Sequence, residues 1–271
     1  MEPSIQPPTP TASPESENPS VTSFAAKLTN IVVSPGEVFD EIQGKPVATI
    51  NWVGPLLLSV CLGIVFVFVV FSQDSITRKI RETQEAAFQE NVKAGKMTQQ
   101  QADQAMQMVE RFAGPAMIKI FGVVGATAGC VGGLFLTGLL FWGAARFVFK
   151  VDIDYLKSVE AVGLASVVGA LDLIVRVPLA MLTDNPSANL GPMLLLRPFD
   201  PTNMLHLFLS TISLMTLWYL AVLAIGLSRL ARVSWGKAIM VIFPVWLFFT
   251  LLTLVPALLQ GVLKGMSEGK H

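Results

Sequence analysis

The stretch from Ile50 to Phe71 contains no Asp, Glu, Lys or Arg. At 1.5 Å of rise per residue, a helix over these residues crosses the roughly 30 Å of hydrocarbon in a bilayer. Four further apolar runs follow, at 120–145, 159–182, 204–227 and 238–263. A soluble core enclosing all of them would need a polar shell. This chain has none to offer, because 14% of its residues are charged, against about 25% in an average soluble protein. Lipid must therefore be part of its solvent. In lipid every backbone polar group has to be satisfied within the structure, which leaves helices or a closed barrel. The runs are continuous rather than alternating, so the chain reads as an all-α, polytopic membrane helical bundle with about five transmembrane helices.

The remaining segments organise around those spans. Residues 1–22 hold Pro3, Pro7, Pro8, Pro10, Pro14 and Pro19 among Ser, Thr and Glu. Such a stretch buries too little apolar surface to offset its lost chain entropy and reads as a disordered tail. Residues 23–46 read as two amphipathic helices. Phe24, Leu28, Ile31 and Val32 share a face, and Val38, Phe39 and Ile42 share another. Ser34-Pro35-Gly36-Glu37 has the form of a capping box with proline at the first helical position. The pair either lies at the membrane surface or caps the bundle. The membrane domain then occupies 47–265. Within it, 73–116 is a polar insert that reads as an extramembrane helical hairpin. Gly95 is the turn signal, and Thr98-x-x-Gln101 is a second capping box ahead of Ala102, Ala105, Met106, Val109 and Phe112 at helical spacing.

Basic residues set the expected orientation. The short loop after span two carries Arg146, Lys150 and Lys157, and the one after span four carries Arg229, Arg232 and Lys237. Short basic loops stay in the cytoplasm. The N-terminus is then cytoplasmic and the C-terminus outside. The insert, with Arg78, Lys79, Arg81, Lys93, Lys96 and Arg111, runs against this rule on the outer side.

Residue types with catalytic potential are sparse. The sequence contains no GxxxxGK[ST] and no HExxH. Its two histidines are His206 and His271, and its two cysteines, Cys61 and Cys130, sit singly in apolar runs. No catalytic, cofactor-binding or metal site is expected, and a formal net charge of zero argues against a nucleic-acid binder. Two features stand out. Asp172 and Arg176 lie one turn apart inside the third span, where an isolated charge costs about 2.5–3.5 kcal/mol on insertion scales. As neighbours they can satisfy each other, either as a functional pair or as a register-fixing salt bridge. Gly125, Gly129 and Gly133 form two GxxxG steps in the second span, a helix-packing face for another helix of this chain or of a second copy.

The pattern from Phe24 to Leu263 resembles the Yip domain family, membrane proteins that interact with Ypt/Rab GTPases. The resemblance rests on several residue groups. They are Ser34-Pro35-x-x-Val38-Phe39-x-x-Ile42 before the first span, Met106-x-x-Val109-Glu110-Arg111-Phe112 in the insert, and the glycine-rich second span. Later come Leu217-Trp218-Tyr219, Ala224-Ile225-Gly226-Leu227 and Trp235-Gly236-Lys237-Ala238. It looks most like the bacterial branch, where a long insert after span one is common. The resemblance implies five spans and a cytoplasmic N-terminus, and it implies no catalytic residues.

These readings lead to a non-enzymatic scaffold or adaptor of the bacterial cytoplasmic (inner) membrane. Its partners are the lipid bilayer and either membrane proteins or further copies of the chain. The alternative is a small-solute or ion transporter or channel, with Asp172 and Arg176 lining a polar path.

Overall fold

The computed structural model describes residues 22–112, 114–196 and 203–268. The Pro-rich tail expected over 1–22 lies outside them except for its last residue. All regular structure among the described residues is helical. Among the described residues five helices are long and apolar enough to cross a membrane: Ile50–Val70, Ala116–Val148, Tyr155–Thr183, Leu214–Ala231 and Trp235–Val255.

Two short helices come first, α1 (Phe24–Val33) and α2 (Pro35–Gln43). Ser23 starts α1 by accepting the Ala26 N–H at 3.2 Å. Pro35 opens α2 as expected, but the Ser34 side chain makes no capping bond. The Ser34 N–H is instead tied back to the Asn30 carbonyl, which holds the two helices in one continuous corner. Ile31, Val38, Phe39 and Ile42 are all buried in the main core, so the apolar faces of this pair are covered by the bundle.

The first span is α3 (Ile50–Val70), followed by two polar helices, α4 (Asp74–Lys93) and α5 (Gln99–Phe112). Thr98 and Gln101 cap α5 reciprocally, at 2.8 and 3.2 Å, as their spacing predicts. Gly95 adopts a positive φ of 67° at the turn between them. An Arg81–Glu110 ion pair links the two helices. The second span is α6 (Pro115–Gly143), which runs into a π-turn at Ala144–Val148. The third is α7 (Tyr155–Thr183), capped at its start by the Asp154 carboxylate. Pro178 does not end it.

The fourth span differs from the expected 204–227. A short helix α8 (Met204–Ser210) ends, and the span itself is α9 (Leu214–Ala231). The break has a local cause. Asn189 donates to the Ser210 carbonyl at 2.6 Å, and the Leu214 N–H donates to the Leu190 carbonyl at 2.8 Å. The preceding loop thus takes backbone groups that a continuous helix would use. Ser213 then restarts the chain by accepting the Thr216 N–H at 3.0 Å. The fifth span lies within α10 (Trp235–Glu268).

Helix α7 is the centre of the bundle. It packs against α3, α6 and α9, while α9 also carries α2 and α10. Between Lys157 and Ala170 almost every α7 residue is buried, the mark of a helix enclosed on all sides. Small residues make this possible. A Cβ on Gly163 would lie 2.5 Å from the Trp52 backbone of α3, and one on Gly226 of α9 would lie 2.8 Å from the Phe39 ring. In lipid such close van der Waals packing, rather than water exclusion, holds spans together.

Candidate functional site

Charged side chains gather where α2, α3 and α7 meet. Lys157 and Glu160 sit one turn apart at the start of α7, and both are buried. The Lys157 ammonium donates to Glu160 Oε2 at 2.5 Å and to the Ile42 carbonyl at 3.0 Å. The other carboxylate oxygen, Oε1, accepts from Asn51 Nδ2 at 2.7 Å and from the Ala48 N–H at 3.1 Å. A buried ion pair is tolerated when its remaining hydrogen-bond capacity is met, and here both carboxylate oxygens are used. The cluster ties the end of α2, the linker into α3, the start of α3 and the start of α7 to one point. It works as a joint, since its acceptors are already occupied by the chain.

More charged contacts lie at the same end. Arg229 at the end of α9 meets Asp40 of α2 at 3.2 Å, and the Arg229 carbonyl accepts from Gln43 Nε2 at 2.8 Å. Glu41 meets Lys45 at 2.9 Å and Lys27 at 3.3 Å. Burial raises the Glu41 carboxyl, but bonds from Lys45, Thr22 and Lys27 outweigh it, so the net displacement is below the usual glutamate value. At the opposite end, Ser75 of α4 donates to the carboxylate of Asp184, the α7 C-cap, at 2.5 Å. Ile76 there is buried with Val70 and Ala180.

Asp172 and Arg176 form the expected pair on α7, with Arg176 Nη2 donating to Asp172 Oδ2 at 2.6 Å. The pair is partly covered, with the arginine side chain 30% and the aspartate 15% exposed. Arg176 Nε is buried without a partner among the described residues. The two residues are closed on each other, and among the described residues no third charged group forms an ion pair with them.

The GxxxG glycines make no close approach within the chain. A Cβ built on Gly125, Gly129 or Gly133 meets nothing within 4 Å. Gly129 and Gly133 instead border a cavity of about 280 Å³, with Ser59, Ser166 and Tyr219 among its walls. The close approaches of α6 are made at Gly122, against Val67, and at Gly138, against Val159, at 2.8 and 2.9 Å. Trp52 packs edge-on against Phe135, with ring centroids 5.9 Å apart. Among the described residues no group of three or more His, Cys, Asp or Glu is placed to hold a metal ion. Cys61 and Cys130 are free thiols.

The family model described as Yip1 domain matches residues 29–255 of the chain. No curated protein and no solved structure matches it.

Proposed function

The chain belongs to the Yip1 domain family, and from that membership we propose that this integral membrane protein is a non-enzymatic scaffold or adaptor. The observation that supports it is the separation of two surfaces by a closed bundle. The α1–α2 pair is fastened to one end through Phe39, Asp40 and the Lys157–Glu160 cluster. The α4–α5 segment is tied to the other end through Ser75 and Ile76. An adaptor needs a rigid membrane body presenting surfaces to partners on each side, and this arrangement suits that task.

In this reading α4–α5 is an extramembrane helical hairpin that carries the partner surface. The α1–α2 end faces the cytoplasm, which the Arg146, Lys150, Arg229, Arg232 and Lys237 loops favour. The long insert after the first span favours a bacterial cytoplasmic membrane. The self-paired Asp172 and Arg176 serve helix register, which argues against a transport path through them. The test is whether a stoichiometric membrane protein co-purifies with the chain and is lost when the α4–α5 segment is removed.

A further inference from the structure

Along one side of the bundle, α2, α9 and the start of α10 leave an open groove of about 750 Å³. Its polarity changes along its length. Arg229, Arg232, Asp40 and Gly36 line one part, and Ile225 and Trp218 line another. The helical rise from Trp218 to Arg229 is roughly 16 Å, so the groove runs from the charged end of the bundle well into the depth of the span. Trp235, 51% exposed, stands at its edge, where interfacial aromatics belong.

The charged part is open to an anion. Arg229 reaches across to α2, with its Nη2 placed 3.2 Å from where a Cβ on Gly36 would be. Its ion pair with Asp40 leaves both side chains about half exposed, at 50% and 49%. So exposed a pair is weak and does not hold the guanidinium against a competing anion. Arg232 caps α9 in the left-handed conformation, with φ 53°. It is exposed, and among the described residues no carboxylate lies within ion-pair distance of it. The N-terminus of α2 also opens here through Pro35 and Gly36 without a side-chain cap, adding the positive end of a helix dipole. Within the groove two guanidinium groups thus face one carboxylate, Asp40, while Arg232 also borders an adjoining hollow with Asp152 and Asp154.

We propose that this groove seats a single acidic phospholipid, its phosphate between Arg229 and Arg232 and an acyl chain against Ile225 and Trp218. A guanidinium pairs with a phosphodiester in a two-point geometry. A free phosphate would use the charged mouth and leave the apolar floor bare, whereas a phospholipid matches both parts. The inference deepens the scaffold reading and rests on it for the side of the membrane, where acidic lipids of the cytoplasmic leaflet attract basic segments.

The test is native mass spectrometry of the full chain in non-ionic micelles, titrated with phosphatidylglycerol or with phosphatidylcholine of the same chains. One phosphatidylglycerol is expected to bind at a concentration at least about fivefold lower than phosphatidylcholine, which is about 1 kcal/mol. R229Q/R232Q abolishes that preference. K237Q, which removes a charge at the same end but outside the groove, keeps it. W218A weakens both lipids. Glycerophosphoglycerol, the headgroup without chains, competes only in large excess. Equal binding of the two lipids, an unchanged preference in R229Q/R232Q, or the same loss in K237Q overturns the proposal. Competition by the bare headgroup at equal concentration assigns the site to soluble phosphates and overturns it too. Should R229Q/R232Q unfold, as read by its thermal midpoint, R232Q alone carries the same expectations. Failure here leaves protein co-purification unaffected, so the lipid and scaffold readings fail separately.

Discussion

Lys157 precedes Glu160 by one turn of α7, and its ammonium lies 2.5 Å from a carboxylate whose side chain is 1% exposed. Through Asn51, Ala48 and Ile42 the pair reaches three other segments of the chain. Removing one member of a buried pair strands the other, at a cost of about 3–5 kcal/mol. Glu160→Ala is therefore expected to lower unfolding stability in detergent by that amount. Glu160→Gln is expected to lose less, because an amide oxygen still accepts from Asn51 and Ala48. Chemical or thermal unfolding of the purified chain reads both. A Glu160→Ala variant as stable as the parent would contradict the assignment of this cluster as a joint.

The glycines separate into those that pack and those that do not. Gly163→Ala places a methyl 2.5 Å from the Trp52 backbone, which cannot rotate away. Overpacking of this kind costs about 1–3 kcal/mol. Gly129→Ala meets open space and is expected to change stability by less than about 0.5 kcal/mol. The same unfolding experiment compares the two, and equal effects would refute the packing described between α3 and α7.

Asp172→Asn removes the charge that pairs with Arg176 and leaves a partly covered guanidinium short of its partner. The expected loss is about 1–3 kcal/mol of stability. Proteoliposomes holding the parent chain are expected to show no solute or ion flux above empty vesicles. Flux that Asp172→Asn abolishes without unfolding the protein would favour the transporter reading.

Orientation can be read with single cysteines in a background where Cys61 and Cys130 are replaced. Lys45→Cys, at the α1–α2 end, is expected to react with an impermeant maleimide only after the membrane is opened. Ser187→Cys, in the loop following α7, is expected to react in intact cells. The reverse pattern would place α1–α2 outside.

Much of this architecture was legible because lipid imposes a length and a composition on every span. The runs at 50–71, 120–145 and 238–263 announce themselves by the absence of charge, and Thr98 with Gln101 carries its own capping chemistry. The start of the fourth span was not legible, since Leu214 begins a helix only because Asn189 and Leu190 engage the backbone on either side of residues 211–213. Glu160 was missed for a related reason. It stands at the edge of its span, where a charge reads as solvated, and Lys157 reads as a loop cation. The three-residue spacing of Lys157 and Glu160 was the available signal, whereas the partners Asn51 and Ile42 lie more than a hundred residues away. Glycine spacing shows that a helix can be approached, and within the chain the close approaches of α6 fall at Gly122 and Gly138.

The most direct test of the scaffold account is stoichiometric co-purification from the native membrane in gentle detergent. The full chain is compared with a variant in which residues 74–112 are replaced by a short Gly-Ser linker. A membrane protein recovered in fixed ratio with the full chain, and lost from a variant that keeps the same unfolding midpoint, is the predicted result. A full chain that purifies without such a protein, or a variant that retains it, would contradict the account.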